Sequence, residues 1–484
     1  MKSIKKNYIY NSLYQILLII LPLITTPYIA RIMGPSGVGI YSYSYSIAHY
    51  FVIISMLGIN NYGTRSIAKV RDDKNKLTNS FWDIYYLQLF LALAMSVLYF
   101  AFVVFVVKEY EIIYILQFIY VISAAFDVNW FCFGMENFKL TVTRNIVVKV
   151  ASVIAIFLFV NSADDLWIYT LIMASSVLIS QLAIWPFIIS KINFKKPVWS
   201  SIRIHLKPNL TLFVPVIAIS LYTIMDKIML GMMSNVTQVG FYTNAEKIIN
   251  IARSLIVALG VVMLPRMSNL VAKGDFKKIR ALIKKSMIIV LLMSSAMAFF
   301  IPAIAPTFVP WFLGENFTES AHLASWLSII LIIVSWANVI RTQYLIPNSR
   351  DKIYIFSVIA GALVNLFINM MLIPSMYSMG AVIGTICAEL SVCVIQTIAI
   401  RNELEIKTYI KNGFPFLIFG ALMFIAVRSL STISADTLTI IILQVFAGVT
   451  IYLILSTIYL VKIIKEFEIV NSVLSLLHIK YRLK

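Results

Sequence analysis

Two charged clusters lie inside apolar runs of this chain, and they carry the only dense chemistry in it. The run NLTLFVPVIAISLYTIMDKIMLGMM, beginning at Asn209, holds Asp226 beside Lys227. The run VGFYTNAEKIINIARSLIVALGVVML, beginning at Val239, holds Glu246, Lys247 and Arg253. Glu246, Asn250 and Arg253 stand at i, i+4 and i+7, on one face of a helix. Such a stripe turns toward a wet cavity or another polar helix, because lipid cannot satisfy it.

Six cations fall within apolar runs: Lys149, Lys227, Lys247, Arg253, Arg341 and Arg428. Each costs about 2.5–3.5 kcal/mol at a helix centre, so six unpaired would cost about 15–20 kcal/mol. That exceeds the ~5–15 kcal/mol by which proteins are stable at all. They must snorkel, pair or face water; Lys149 and Arg341 lie near span ends, where snorkelling is open to them. The acids within runs are Asp226, Glu246 and Glu389, with Asp83, Asp127 and Glu136 at run edges. Cations therefore exceed acids, a balance suited to an anionic ligand, phosphate above all. A site for cationic drugs would leave carboxylates over instead. Interhelical ion pairs that only hold the bundle together are the other reading of the same residues.

Groups for covalent chemistry are sparse. His49, His205, His322 and His478 are scattered, without metalloprotease spacing, and there is no nucleophile elbow, P-loop or dinucleotide fingerprint. Glu315, Glu319 and His322 share one short loop, small for a glycosyltransferase or ligase centre. Cys132, Cys387 and Cys393 lie in or near apolar runs and read as packing residues.

The elements that hold these charges must be membrane helices. The chain is 61% hydrophobic and 13% charged over 484 residues, with mean hydropathy +0.90, outside the range of soluble domains. A span needs roughly 20 apolar residues, and about 14 such runs recur, among them 9–30, 38–60, 146–160, 209–232, 239–264, 353–373 and 381–400. The basic N-terminus leads into a run too long for a signal peptide. Pro22, Pro27, Pro215 and Pro302 fall in or near spans, where proline kinks helices.

Placing the loops alternately puts 32 of the 40 Lys and Arg on one side and two, Arg31 and Lys108, on the other. This bias places both termini in the cytoplasm. It also assigns the net charge of +19 to topology and to anionic membrane lipids, not to nucleic acid.

A repeat spaced by about 200 residues links VGIYSYSYSI, from Val38, with VGFYTNAEKI, from Val239. Arg31-Ile32-Met33 likewise matches Lys227-Ile228-Met229. The expected organisation is an N-terminal lobe over 1–205, a second lobe over 206–404, and two further helices with a basic tail over 405–484. Parallel repeats are a recurrent transporter plan, with the site between them.

The segments PYIARIMGPSGVGIYSYSYSI (from Pro27), DVNWFCFGMENFKLTVTRN (from Asp127) and DKIMLG…VGFYTNAEKI…LPRMS (from Asp226) resemble bacterial polysaccharide flippases of the multidrug/oligosaccharidyl-lipid/polysaccharide exporter superfamily. The resemblance runs end to end. It implies an all-α fold of the multidrug-exporter kind, with two six-helix lobes around a central cavity and two peripheral helices. It implies transfer of an undecaprenyl-diphosphate-linked oligosaccharide to the outer leaflet of the bacterial plasma membrane, for O-antigen or capsule assembly. A polysaccharide polymerase and a chain-length regulator would be partners. There would be no cofactor beyond proton or sodium coupling. It further implies that Arg31, Lys227, Lys247, Arg253 and Arg341 meet the diphosphate and sugars, with Asp226, Glu246 and Glu389 as coupling or pairing acids. The alternatives are a lipid II flippase, a multidrug/cation antiporter, and a membrane polymerase or ligase.

Overall fold

The computed structural model describes residues 2–464, all helices and connecting turns without a strand among them. Lys465, His478, Lys480, Arg482 and Lys484 of the basic tail lie outside the described residues. Among the described residues, 11 helices are long and apolar enough to cross a membrane, or 12 when the bent pair Glu315–Leu327 and Ile330–Leu345 is taken as one span. Their outer faces are greasy. On the helix Lys74–Phe105, Phe90, Leu93, Val97, Phe100 and Phe105 are all more than half exposed, a pattern that suits hydrocarbon as the surrounding solvent.

The count of 11 or 12 falls below the expected 14 because two long stretches, each counted once, hold two expected spans joined across a kink. The first covers Ile20–Val70 and the second Asp351–Ile400, 51 and 50 residues, or about 75 Å each at ~1.5 Å per residue against a hydrocarbon core of ~30 Å. Each is broken internally. Gly34 sits at φ 62°, ψ −178°, a conformation essentially confined to glycine. Tyr377 sits at φ 52°, ψ −130°, a strained position for a residue with a Cβ. Pro22, Pro27 and Pro35 lie inside the first long helix, Pro215 inside Leu206–Thr223, and Pro302 inside Phe276–Leu313. The expected fifth span, 146–160, is the latter part of a longer helix, Phe138–Phe159. Arg144, which lies just before that expected span, is therefore helical, and it is buried.

By internal packing the chain divides into two compact units, Met1–Gly240 and Phe241–Lys484. The expected lobe boundaries at 205 and 404 rest instead on the sequence repeat. In the first unit, the core gathers Phe81, Trp130, Phe131, Ile59 and Ile67, all fully buried. In the second, it gathers Met287, Val339, Ile340 and Phe416.

The units share local devices at corresponding places. Asp73 caps the helix Lys74–Phe105 by accepting from the backbone N–H groups of Asn75 and Lys76, and Asp275 caps Phe276–Leu313 through Lys278. Such a cap satisfies otherwise orphaned donors. Glu136 and Ser349, both at φ 56°, end helices in the same left-handed turn. The following amide closes back on the helix in each case, Asn137 N to Cys132 O and Arg350 N to Leu345 O, both 2.9 Å.

Within the first unit, segment 35–39 crosses segment 236–240 backbone against backbone. A Cβ at Gly39 would stand 1.7 Å from the Val236 carbonyl oxygen, and one at Gly240 would stand 1.9 Å from that of Pro35. The contact is reciprocal between the equivalent glycines of the two VG repeats. Only glycine permits this closeness, as at small-residue helix crossings in membranes.

Candidate functional site

The first unit buries a polar network built largely on the Asp127–Asn145 motif. The helix Glu111–Ser123 ends in a short tight turn, after which Asp127 folds back on the chain: its Oδ1 accepts the backbone N–H of Asn129 at 3.1 Å and the side-chain amide at 2.7 Å. The same amide donates to Gln181 at 3.1 Å, while Asn129 Oδ1 accepts from Arg144 at 3.0 Å. Arg144 also donates to Asn145 at 2.7 Å, and Asn145 accepts from Ser180 at 3.0 Å. Behind this chain, fully buried Gln88 donates to the carbonyls of Ala124 (2.7 Å) and Asp127 (2.8 Å) and accepts from Trp130 Nε1 at 2.9 Å. Asp127 and Arg144 thus share one amide, Asn129, rather than touching. Buried polar groups are tolerated when bonded in this way.

Beside the network opens a cavity of about 420 Å³, lined by residues that include His49, Tyr120, Asp127 and Gln181. His49 Nδ1 meets the Tyr120 hydroxyl at 2.5 Å, and the Tyr45 hydroxyl donates to the same oxygen at 3.3 Å. Their rings stack, Tyr45 on Tyr120 at 5.0 Å between centroids. Sequence reasoning passed over His49 as one of four scattered histidines, and it read Asp127 only as the edge of a span.

Of the residues expected at the site, three lie in the first unit. Asp226 is buried, Lys227 is half-buried and Arg31 is exposed. Lys227 lies within electrostatic range of His49 and Tyr45, and Asp226 within range of Tyr50, so these two charges lie toward the aromatic side of the cavity region.

The other five lie in the second unit. Arg253 donates to Glu389 at 3.1 Å, with side-chain exposures of 28% and 6%, so the stripe predicted on this helix ends in a mostly desolvated ion pair. Glu246 is half-buried and Lys247 exposed. Arg341 donates to Asn338 at 2.7 Å and lies over the Tyr354 ring at 5.6 Å. Near the helix ends, Arg350 pairs with Glu403 at 2.6 Å, and Tyr344 donates to the same carboxylate. The Arg350 hydrogen bond holds the Glu403 carboxyl below its ordinary range, against partial burial, which raises it. Glu315, Glu319 and His322, expected in one short loop, lie instead in the turn Glu315–Phe317 and the helix Thr318–Leu327; no metal-binding cluster exists among the described residues.

Residues 4–271 match the family model described as "Polysaccharide biosynthesis protein", more than half of the chain. The chain belongs to that family. Family relatives agree: a protein of Escherichia coli (strain K12) named "Putative O-antigen transporter" is 25% identical over 406 residues, covering 83% of this chain and 97% of its own length. The "Lipid II flippase MurJ" of Bacillus subtilis (strain 168) is 24% identical over 194 residues, 38% of this chain and 34% of that protein. Among solved structures, lipid II flippase MurJ in an inward closed conformation superposes with a TM-score of 0.74 at 15% identity, covering 94% of this chain and 99% of that one. An inward-facing multidrug resistance MATE family transporter reaches 0.61 at 13% identity, covering 81% and 96%. This polysaccharide biosynthesis protein therefore has the all-helical fold of those membrane transporters, and its relatives and neighbours are transporters rather than enzymes.

Proposed function

We propose that this protein is a flippase that carries a lipid-linked oligosaccharide, the precursor of an O-antigen or related surface glycan, from the cytoplasmic to the outer leaflet. The observation that carries this reading is the family match over 4–271, on a chain whose described residues are apolar helices from end to end. The carrier lipid is an undecaprenyl diphosphate, whose tail stays in the bilayer while its charged head crosses. Arg31, Lys227, Lys247, Arg253 and Arg341 meet the diphosphate and the first sugars as the protein alternates its access. Asp226, Glu246 and Glu389 pair with these cations or exchange a proton or sodium ion. Both termini face the cytoplasm, in keeping with the loop charge bias, and a polymerase and chain-length regulator receive the product.

Flipping needs no bond to break; it needs a polar route through hydrocarbon and cations to replace the water lost by a diphosphate. The test is cellular. Deletion should leave single lipid-linked repeat units on the cytoplasmic leaflet, and plasmid-borne wild type should clear them. Accumulation of single units on the outer face would point to a polymerase or ligase instead. The second reading, a lipid II flippase, is favoured by the MurJ superposition and predicts rescue of peptidoglycan synthesis in a strain lacking its own flippase.

A further inference from the structure

We propose that the cavity in the first unit is a saccharide subsite, which grips the sugars of the carried lipid while cations elsewhere hold its diphosphate. This rests on the transport reading above. The cavity is about 420 Å³, within the ~300–1,000 Å³ typical of small-molecule sites: room for a short saccharide, not for a polyprenyl tail. Its chemistry is that of a neutral polyhydroxylated ligand. No Lys or Arg is among its described lining residues, so the cavity wall itself offers a diphosphate no cation. Its polar lining mixes acceptors and donors: His49, Asn60, Asn61, Asp127 and Gln181, with the Tyr120 hydroxyl.

The stacked Tyr45, His49 and Tyr120 rings form an aromatic group of which two members line the cavity, and the C–H face of a pyranose packs on such rings. Amides and a carboxylate answer its hydroxyl groups. A cation is a poor occupant. Asp127 is the single carboxylate in the lining and already accepts two N–H bonds from Asn129, whereas hard cations call for several oxygen ligands. The chain break at Leu57 and Gly58, both at positive φ (38° and 78°), turns the backbone here and sets exposed Asn60 and Asn61 on the cavity wall. These amides are well placed to read a sugar without contributing to the fold.

The experiment uses the full-length protein in proteoliposomes with two probes. One is polyprenyl diphosphate bearing only the first sugar, and the other bears the complete repeat unit extracted from the producing strain. Asn61→Ala tests the exposed amide, and His49→Phe keeps the ring stack while removing the ring nitrogens. The expected result is a fall of about tenfold in the ratio of complete-unit to one-sugar transport in both variants, relative to wild type. An unchanged ratio, or equal loss of both substrates, would overturn the subsite. Wild-type protein that moves neither probe would overturn the transport reading and the subsite with it.

Discussion

Two sites, one in each unit, meet the same difficulty, opposite charges inside an apolar bundle, in different ways, although the first unit also holds a direct pair, Lys195 with Asp83 at 3.0 Å. At the first site, Asp127 and Arg144 are joined through Asn129, and neutral side chains (Gln88, Trp130, Gln181, Asn145) bond around them. In the second, Arg253 and Glu389 touch directly across two helices. An amide relay fixes geometry: each short side chain has one partner set, and moving one member strands several others. A direct pair fixes charge and can be exchanged, because an incoming anion can take the guanidinium and an incoming cation the carboxylate. The difference teaches that the Asn129 relay is built to hold a shape and the Arg253–Glu389 pair to release a charge, although both units carry the same aspartate cap and the same left-handed helix end.

The largest effect should come from the glycine crossing that the repeat shares. Gly39→Val or Gly240→Val forces a carbon into the space of a carbonyl oxygen, which no rotamer relieves. Either substitution should lower transport more than tenfold and drop the melting temperature of the purified protein. Normal transport by both would mean that the two segments are not held together.

Next comes the direct pair. Arg253→Ala leaves Glu389, 6% exposed at its side chain, as an uncompensated buried charge, a loss of about 3–5 kcal/mol. The double variant Arg253→Ala with Glu389→Gln should recover most of that stability in thermal unfolding and none of the transport. Recovery of both would make the pair structural only and would remove the contrast between the units.

In the first unit, Gln88→Ala strands the Trp130 N–H and two carbonyls at once. At about 1–3 kcal/mol for each buried group left unsatisfied, melting should fall by several degrees. The fall should be the same at low and high salt, since no ion pair is broken.

The smallest effect concerns Arg350 and Glu403, each about a third exposed. Because this carboxyl is held below its ordinary range in the folded state, its contribution is fully present above the unfolded value, near ~4.3. It is lost as pH falls through the lower folded value. An exposed pair of this kind is worth ~0–1 kcal/mol. Glu403→Gln should therefore reduce stability slightly at pH 7, and the difference from wild type should vanish toward pH 3.

Much of this was legible in the sequence, for physical reasons. Apolar runs announce spans, and a lysine or arginine within one announces a constraint, so the Arg253 helix face was readable from its spacing. Glu389, expected as a coupling or pairing acid without a named partner, pairs with Arg253 from a helix more than a hundred residues distant. The VG repeats pointed to matched segments, and their glycines prove to touch. The sharpness of the joints was not legible: the stretch around Gly34 reads as a loop, whereas two helices meet there across a single kink. Arg144 was left out of the expected span 146–160 because a cation five residues after Lys139 extends the polar segment that precedes the apolar run. The amide network left no trace at all: Gln, Asn and Trp barely disturb hydropathy, and their partners lie far apart in the chain.

The most direct test of the central claim is a leaflet-accessibility assay on purified protein. It is reconstituted into liposomes carrying a fluorescent polyprenyl-diphosphate oligosaccharide on the inner leaflet, with an impermeant glycosidase outside. The account predicts that wild-type protein exposes most of the labelled sugar to the enzyme, while Lys227→Gln with Arg253→Gln exposes at least tenfold less at equal protein level. Sugar that stays protected with wild-type protein, or exposure that is unaffected by losing both cations, would contradict it.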